Sequence, residues 1–159
     1  MILDILKYPN KILTRKTQRI VEIDEEIKKL ISDMVETLYT ERGVGLAANQ
    51  VGVSKRLIVL DDGSGLMILI NPKIISKRGK IVLPEGCLSF PGLELEIKRP
   101  EKIEVEYLDK NGRLRKIKAE QMLARIICHE IDHLDGKTML DNLSLFKRLK
   151  LKRLLRLKK

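Results

Sequence analysis

The stretch Ile126–Gly136, I-I-C-H-E-I-D-H-L-D-G, constrains this chain more than any other, because it sets both of its histidines in one apolar segment. From Met122 to Leu134 the residues Met122, Leu123, Ala124, Ile126, Ile127, Ile131 and Leu134 carry apolar character nearly all the way round a helix, as a buried central helix does. Helical side chains four apart stack on one face. His129 and His133 therefore point the same way and can grip one metal ion, with Glu130 beside them in reach of a water that the ion polarises. On a surface helix the same H-E-x-x-H arises by chance, with histidines that merely titrate and a glutamate paired to a lysine. Buried, these groups need partners or a metal to offset their desolvation. The pattern points to the core of a metal-dependent hydrolase.

A catalytic ion of this kind usually has three protein ligands and one open position. The chain has no third histidine. Cys128 neighbours His129 and projects about 100° round the helix from it, too far to close on the same ion. Cys87 is the better candidate, since it lies in a tight turn, Glu85-Gly86-Cys87-Leu88-Ser89-Phe90-Pro91-Gly92, that can be brought over the helix. A thiolate there would make a divalent ion a milder Lewis acid and keep affinity for Fe²⁺ as well as Zn²⁺. Elsewhere such a cysteine reads as a small buried hydrophobe.

With 159 residues the chain fits a single domain with an adequate core, and with 3% aromatic residues that core must be aliphatic. The net charge of +10 resembles a nucleic-acid signal until it is located. Residues 147–159 hold eight cations (Lys147, Arg148, Lys150, Lys152, Arg153, Arg156, Lys158, Lys159) and no acid, and ten less these eight leaves a net +2 for residues 1–146. The expected organisation is a catalytic domain over 1–146 and a basic helical extension of the same domain over 147–159. In that extension Leu151, Leu154, Leu155 and Leu157 share an arc opposite Lys152, Arg153 and Arg156. This suits a docking helix with a solvated basic face, or an acidic partner such as ribosomal RNA or a membrane surface. No basic leader followed by a long apolar run is present, so the protein is expected in the cytoplasm with reduced thiols.

Residues 1–23 read as a short, partly extended lead. From Asp24, a plausible N-cap, Ile27, Leu30, Ile31, Met34, Val35 and Leu38 form a helical stripe that ends before Gly43. The following G-V-G-L-A-A-N-Q-V-G lacks the third glycine and the preceding strand of a dinucleotide loop. Its small residues allow close backbone approach. Gln50 has a donor and an acceptor for a polarised carbonyl, though taken alone it reads as solvent-facing. Short strands are predicted at 57–60, 66–70 and 81–83, the last stopped by Pro84. Alternating strands follow at 93–97 and 103–107, and Asn111-Gly112 turns the latter into a strand over 114–119.

Three segments, Gly43-Val44-Gly45-Leu46-Ala47-Ala48-Asn49-Gln50, Glu85-Gly86-Cys87-Leu88-Ser89 and His129-Glu130-Ile131-Asp132-His133-Leu134, resemble in order and spacing the three signature motifs of the peptide deformylases. Ile5-Leu6-Lys7-Tyr8-Pro9, Asn71-Pro72 and Gly136 are similar to that family too, so the resemblance covers roughly residues 3–145. It implies that Cys87, His129 and His133 hold one divalent metal, Fe²⁺ in this family with Zn²⁺, Ni²⁺ or Co²⁺ able to substitute. It implies that Glu130 is the general acid/base and that the Gln50 side chain and the Leu88 backbone N–H hold the developing oxyanion. The implied reaction frees formate from the N-formylmethionyl end of a new polypeptide. Val44, Gly45 and Ile126 are expected to form the methionine pocket, an apolar slot for an unbranched thioether. The basic C-terminal helix is one that, in this family, can bring the enzyme to the ribosome. DNA and membrane are not expected partners. The chain departs from the commoner family pattern at Cys128, where glutamine usually precedes the first ligand histidine.

The expected fold is a single α+β domain of short, mostly antiparallel strands round the central H-E-x-x-H helix, with an N-terminal and a C-terminal helix. Two other functions fit part of the sequence. A zinc endopeptidase also uses H-E-x-x-H, but no third histidine follows the motif here. A basic RNA-binding protein with a structural metal explains the C-terminal cations but leaves Glu130 and Gln50 idle, and three Tyr and two Phe are few for stacking bases.

Overall fold

The computed structural model describes residues 1–157, so Lys158 and Lys159 of the basic extension lie outside the described residues. Three helices, α1 (Glu25–Thr40), α2 (Gln121–Leu134) and α3 (Leu145–Leu157), are set round two antiparallel sheets. The larger sheet has the strand order β1 (Gly45–Ala47), β2 (Leu57–Asp61), β3 (Leu66–Arg78), β6 (Lys102–Leu108), β7 (Leu114–Glu120). The smaller pairs β4 (Ile81–Cys87) with β5 (Phe90–Arg99).

Within the large sheet β2 is buried on both faces, which is why its sequence is continuously apolar rather than alternating. Leu57 and Val59 face α1, where they pack with Ile27, Ile31, Met34 and Leu38. Ile58 and Leu60 face α2, where they pack with Ile126, Ile127, Ile131 and Leu134. Each such side chain, taken out of water, contributes about 1.5–3 kcal/mol before entropy is counted. Asp24 caps α1 by accepting the Ile27 N–H at 2.9 Å. α2 stops at Gly136, whose φ of +75 and whose neighbours at 2.8–2.9 Å from a would-be Cβ, the backbone of Thr14 and Arg15, leave no room for another residue.

Several expectations change. Pro84 does not end its strand, which runs on to Cys87; β4 pairs with β5 alone in a two-stranded sheet and is therefore an edge strand, where proline is tolerated. The expected turn over 85–92 therefore shrinks to Leu88-Ser89, and β3 is longer than predicted, reaching Arg78. The leucine arc of α3 also divides. Leu151 and Leu155 pack against Phe90, Ile97, Met139 and Leu140, whereas Leu154 and Leu157 stay exposed with Leu145, Phe146 and Leu149.

Candidate active site

α2 is sandwiched between the large sheet and the β4–β5 hairpin, and this buries its polar face. His129 is 7% exposed, Glu130 4% and His133 0%. The hairpin brings Cys87 over that face. The Cys87 Sγ lies 3.2 Å from the His133 Nε2, which lies 3.1 Å from the His129 Nε2, and the three donor atoms are all within 4.8 Å of one another. Ligand bonds of about 2.3 Å to sulfur and 2.0–2.1 Å to nitrogen put tetrahedral ligands about 3.3 Å (N to N) and 3.6 Å (S to N) apart. The Cys87–His133 and His133–His129 separations are close to those edges, and a thiolate with two imidazoles is a donor set for borderline divalent ions. The residues fit a metal.

His129 is aimed by a buried charge cluster. Its Nδ1 lies 2.7 Å from a Glu85 carboxylate oxygen, which leaves Nε2 free to ligate. The same carboxylate accepts from Arg99 at 2.9 and 2.8 Å and from Arg125 at 2.6 Å. Burial would raise the Glu85 pKa, but these hydrogen bonds from Arg99 and His129 hold it down to about 2. Arg99 also reaches Asp132 on α2, tying the hairpin to the helix. Burial opposes a charge on either histidine. At His129 the Cys87 sulfur and Glu85 outweigh it and push the pKa up to about 10; at His133 burial and the neighbouring His129 push it down.

Glu130 projects beside this group. Burial raises its carboxyl to about 7, and its Oε2 has no partner among the described residues. Gly45 makes the room: a Cβ there would sit 2.7 Å from the Glu130 Oε1 and 3.0 Å from an Ile126 methyl. Gln50, expected on its own to face solvent, is 1% exposed. The loop after β1 folds it inward, where its Oε1 accepts the Ala47 N–H at 2.9 Å. Its Nε2 donates to the Ser89 Oγ at 3.1 Å and lies 3.5 Å from the Cys87 sulfur.

A cavity of about 540 Å³ opens over these groups. Its walls include Val44, Gly45 and Ile126, the expected methionine pocket, together with Leu88, Leu93 and Met122. All nine candidate residues thus come to one place. Sequence reasoning missed Glu85, Arg99, Arg125 and Ser89. Only Glu85 and Ser89 carried a signal, their place two residues either side of Cys87.

An H-E-x-x-H helix under an antiparallel sheet, with a cysteine as the third candidate ligand, delimits a narrow class of hydrolase folds. The family model described as polypeptide deformylase matches residues 2–149. The peptide deformylase of Caldanaerobacter subterraneus is 48% identical over 142 residues, 89% of each chain. That of Thermodesulfovibrio yellowstonii is 48% identical over 152 residues, 92% of each. Among solved structures, the peptide deformylase of Ehrlichia chaffeensis in complex with actinonin superposes with a TM-score of 0.92 at 42% identity, covering 99% of this chain and 98% of that one. The chain belongs to the polypeptide deformylase family.

Proposed function

We propose that this chain hydrolyses the formyl amide of N-formylmethionyl polypeptides, with Cys87, His129 and His133 as metal ligands, Glu130 as general acid/base, and Gln50 and the Leu88 N–H as oxyanion donors. The observation that carries the reading is the place of the Glu130 carboxyl, buried beside the three donor atoms with one oxygen unpartnered among the described residues. The family is metal-dependent, and a divalent cation on these ligands supplies Lewis acidity and a water acidified towards neutral pH.

The chain's own residues do the rest. Glu130 removes a proton from the attacking water, whose oxygen bonds to the formyl carbon. Gln50 Nε2 and the Leu88 N–H donate to the oxygen on which negative charge collects. Glu130 then delivers its proton to the amine nitrogen as the C–N bond breaks, giving formate and a free N-terminus. Glu85 keeps the His129 Nδ1 proton in place, a positioning role.

β1 offers the substrate a rail. The Asp61 N–H donates to the Val44 carbonyl at 2.9 Å while Gly45 faces Leu60, so the Gly45 N–H and C=O point away from β2 towards the cavity. An extended peptide adds to that free edge. Its methionine side chain enters the slot of Val44, Gly45 and Ile126.

Fe²⁺ is the proposed native ion, as the family resemblance implies, with Zn²⁺, Ni²⁺ or Co²⁺ as replacements; the Cys87 thiolate suits Fe²⁺ as well as Zn²⁺. The proposed setting is the cytoplasm, where formylated chains emerge; no described helix is long and apolar enough to cross a membrane. Lys147, Lys150, Arg153 and Arg156 are exposed along α3, and their proposed partner is ribosomal RNA. Reversing Lys150, Arg153 and Arg156 to Glu should abolish low-salt co-sedimentation with ribosomes and leave formyl-peptide hydrolysis intact; unchanged sedimentation would discard that partner. The activity itself is tested with formyl-Met-Ala-Ser beside an internally quenched peptide. Formate release without internal cleavage supports a deformylase, and the converse an endopeptidase.

A further inference from the structure

The proposed reaction fixes the first residue of the peptide and says nothing of those that follow. Two arginines line the cavity, and they differ in what remains for a ligand. Arg125 is 2% exposed, with its guanidinium committed to Glu85 at 2.6 Å and to the Ile97 and Ile81 carbonyls at 3.0 and 2.9 Å. Arg42 is exposed at the mouth, and its guanidinium has no partner among the described residues. The acids that line the cavity, Glu85 and Glu130, are both buried in its floor.

Arg42 is also fixed in place. It sits just past the end of α1 with φ +55, held by its own N–H on the Tyr39 carbonyl at 3.1 Å and by the Gly43 N–H on the Leu38 carbonyl at 2.9 Å. Its direction from the reacting centre follows from burial. Beyond Gly45 the strand enters the core through Leu46, Ala47 and Ala48, all 0% exposed, whereas before it Val44 and Arg42 lie in the open. A peptide whose formyl group meets Glu130 beside Gly45 must therefore run antiparallel to β1, towards Gly43 and out past Arg42. Each residue advances it about 3.4 Å. Its second and third residues pass within reach of the long Arg42 side chain.

Resting on the deformylase reading, we propose that Arg42 is a specificity-determining residue that favours nascent chains with an acidic side chain at the second or third residue and disfavours those with a basic one there. The discrimination is that of a solvent-exposed ion pair set against an exposed like-charge pair, about fivefold in kcat/KM at low ionic strength. Salt shrinks it.

The test uses the metal-loaded full chain and amide-capped peptides, formyl-Met-Ala-X-Ala and formyl-Met-X-Ala-Ala, with X as Asp, Asn or Lys. The wild type should cleave the Asp peptides about fivefold better than the Lys peptides at low salt, with a ratio near one at high salt. The ratio should persist in Arg42→Lys, fall to near one in Arg42→Gln and invert in Arg42→Glu. A wild-type ratio near one, or a ratio that Arg42→Gln leaves unchanged, overturns the assignment while the Asn peptides still release formate. Failure of the Asn peptides in the metal-loaded enzyme refutes the deformylase reading and the assignment with it.

Discussion

Replacing Glu85 by glutamine should cost both stability and metal affinity. The carboxylate accepts four hydrogen bonds, two from Arg99 and one each from Arg125 and His129, and is 7% exposed. The amide keeps the shape but loses the charge, so Arg99 and Arg125 remain buried with only Asp132 as counter-ion, and the amide NH₂ faces donors. Removing one partner of a buried ion cluster costs about 3–5 kcal/mol. The pKa gives a similar figure: a fall from 4.5 to about 2 corresponds to about 3 kcal/mol. In a domain of this size that is a loss of about 10 °C in Tm. The sign with pH follows from the lowered folded-state value. The stabilisation is full above pH 4.5 and is lost as pH falls through about 2, so wild type and variant should converge across that window. Because His129 loses its orienting partner, metal affinity should fall about 10- to 100-fold. Urea unfolding of the apoprotein against pH, together with competition for the metal by a chelator, reads both effects. A variant within 1 kcal/mol of wild type at pH 7, with unchanged metal affinity, would refute the argument.

Gly45→Ala should lower kcat sharply while the protein still folds. The new methyl lies 2.7 Å from the Glu130 Oε1, and displacing that side chain costs about 1–3 kcal/mol, or roughly 5- to 150-fold in rate; kcat close to wild type would mean that Glu130 is not held where the reaction requires it. In metal-free protein Glu130 acts in the opposite sense to Glu85. Its folded pKa is raised from 4.5 to about 7, so the folded state keeps a proton that the unfolded chain gives up, and stability should decline as pH rises through that interval. Metal-free Glu130→Gln should lack that decline, as pH-dependent unfolding curves of the two proteins would reveal.

The helices and most strands were legible because each follows from a local period. The stripe of Ile27, Ile31, Met34 and Leu38, the apolar wrap of 122–134 and the alternation of 93–97 and 103–107 need no knowledge of the rest of the chain. Cys87, His129 and His133 were legible as ligand types, and two of them as neighbours by helical spacing. What stayed hidden depends on contacts distant in sequence. Glu85 stands two residues from Cys87, but its role is hidden until β5 supplies Arg99 and α2 supplies Arg125 and His129, 14 to 44 residues away. Gln50 reads as exposed until Ser89 and Cys87 close over it. Pro84 marked a strand end by a rule that holds in sheet interiors, and β4 lies at an edge.

The central claim is that Glu130 moves the proton for formyl hydrolysis at a site built by Cys87, His129 and His133. The direct measurement is formate release from formyl-Met-Ala-Ser by protein purified anaerobically, with bound metal determined on the same sample and Glu130→Gln in parallel. The account requires release by the wild type with about one metal per chain, and a loss of at least a hundredfold in the variant while its metal stays bound. Full metal occupancy with no release, or a variant as active as the wild type, would contradict it.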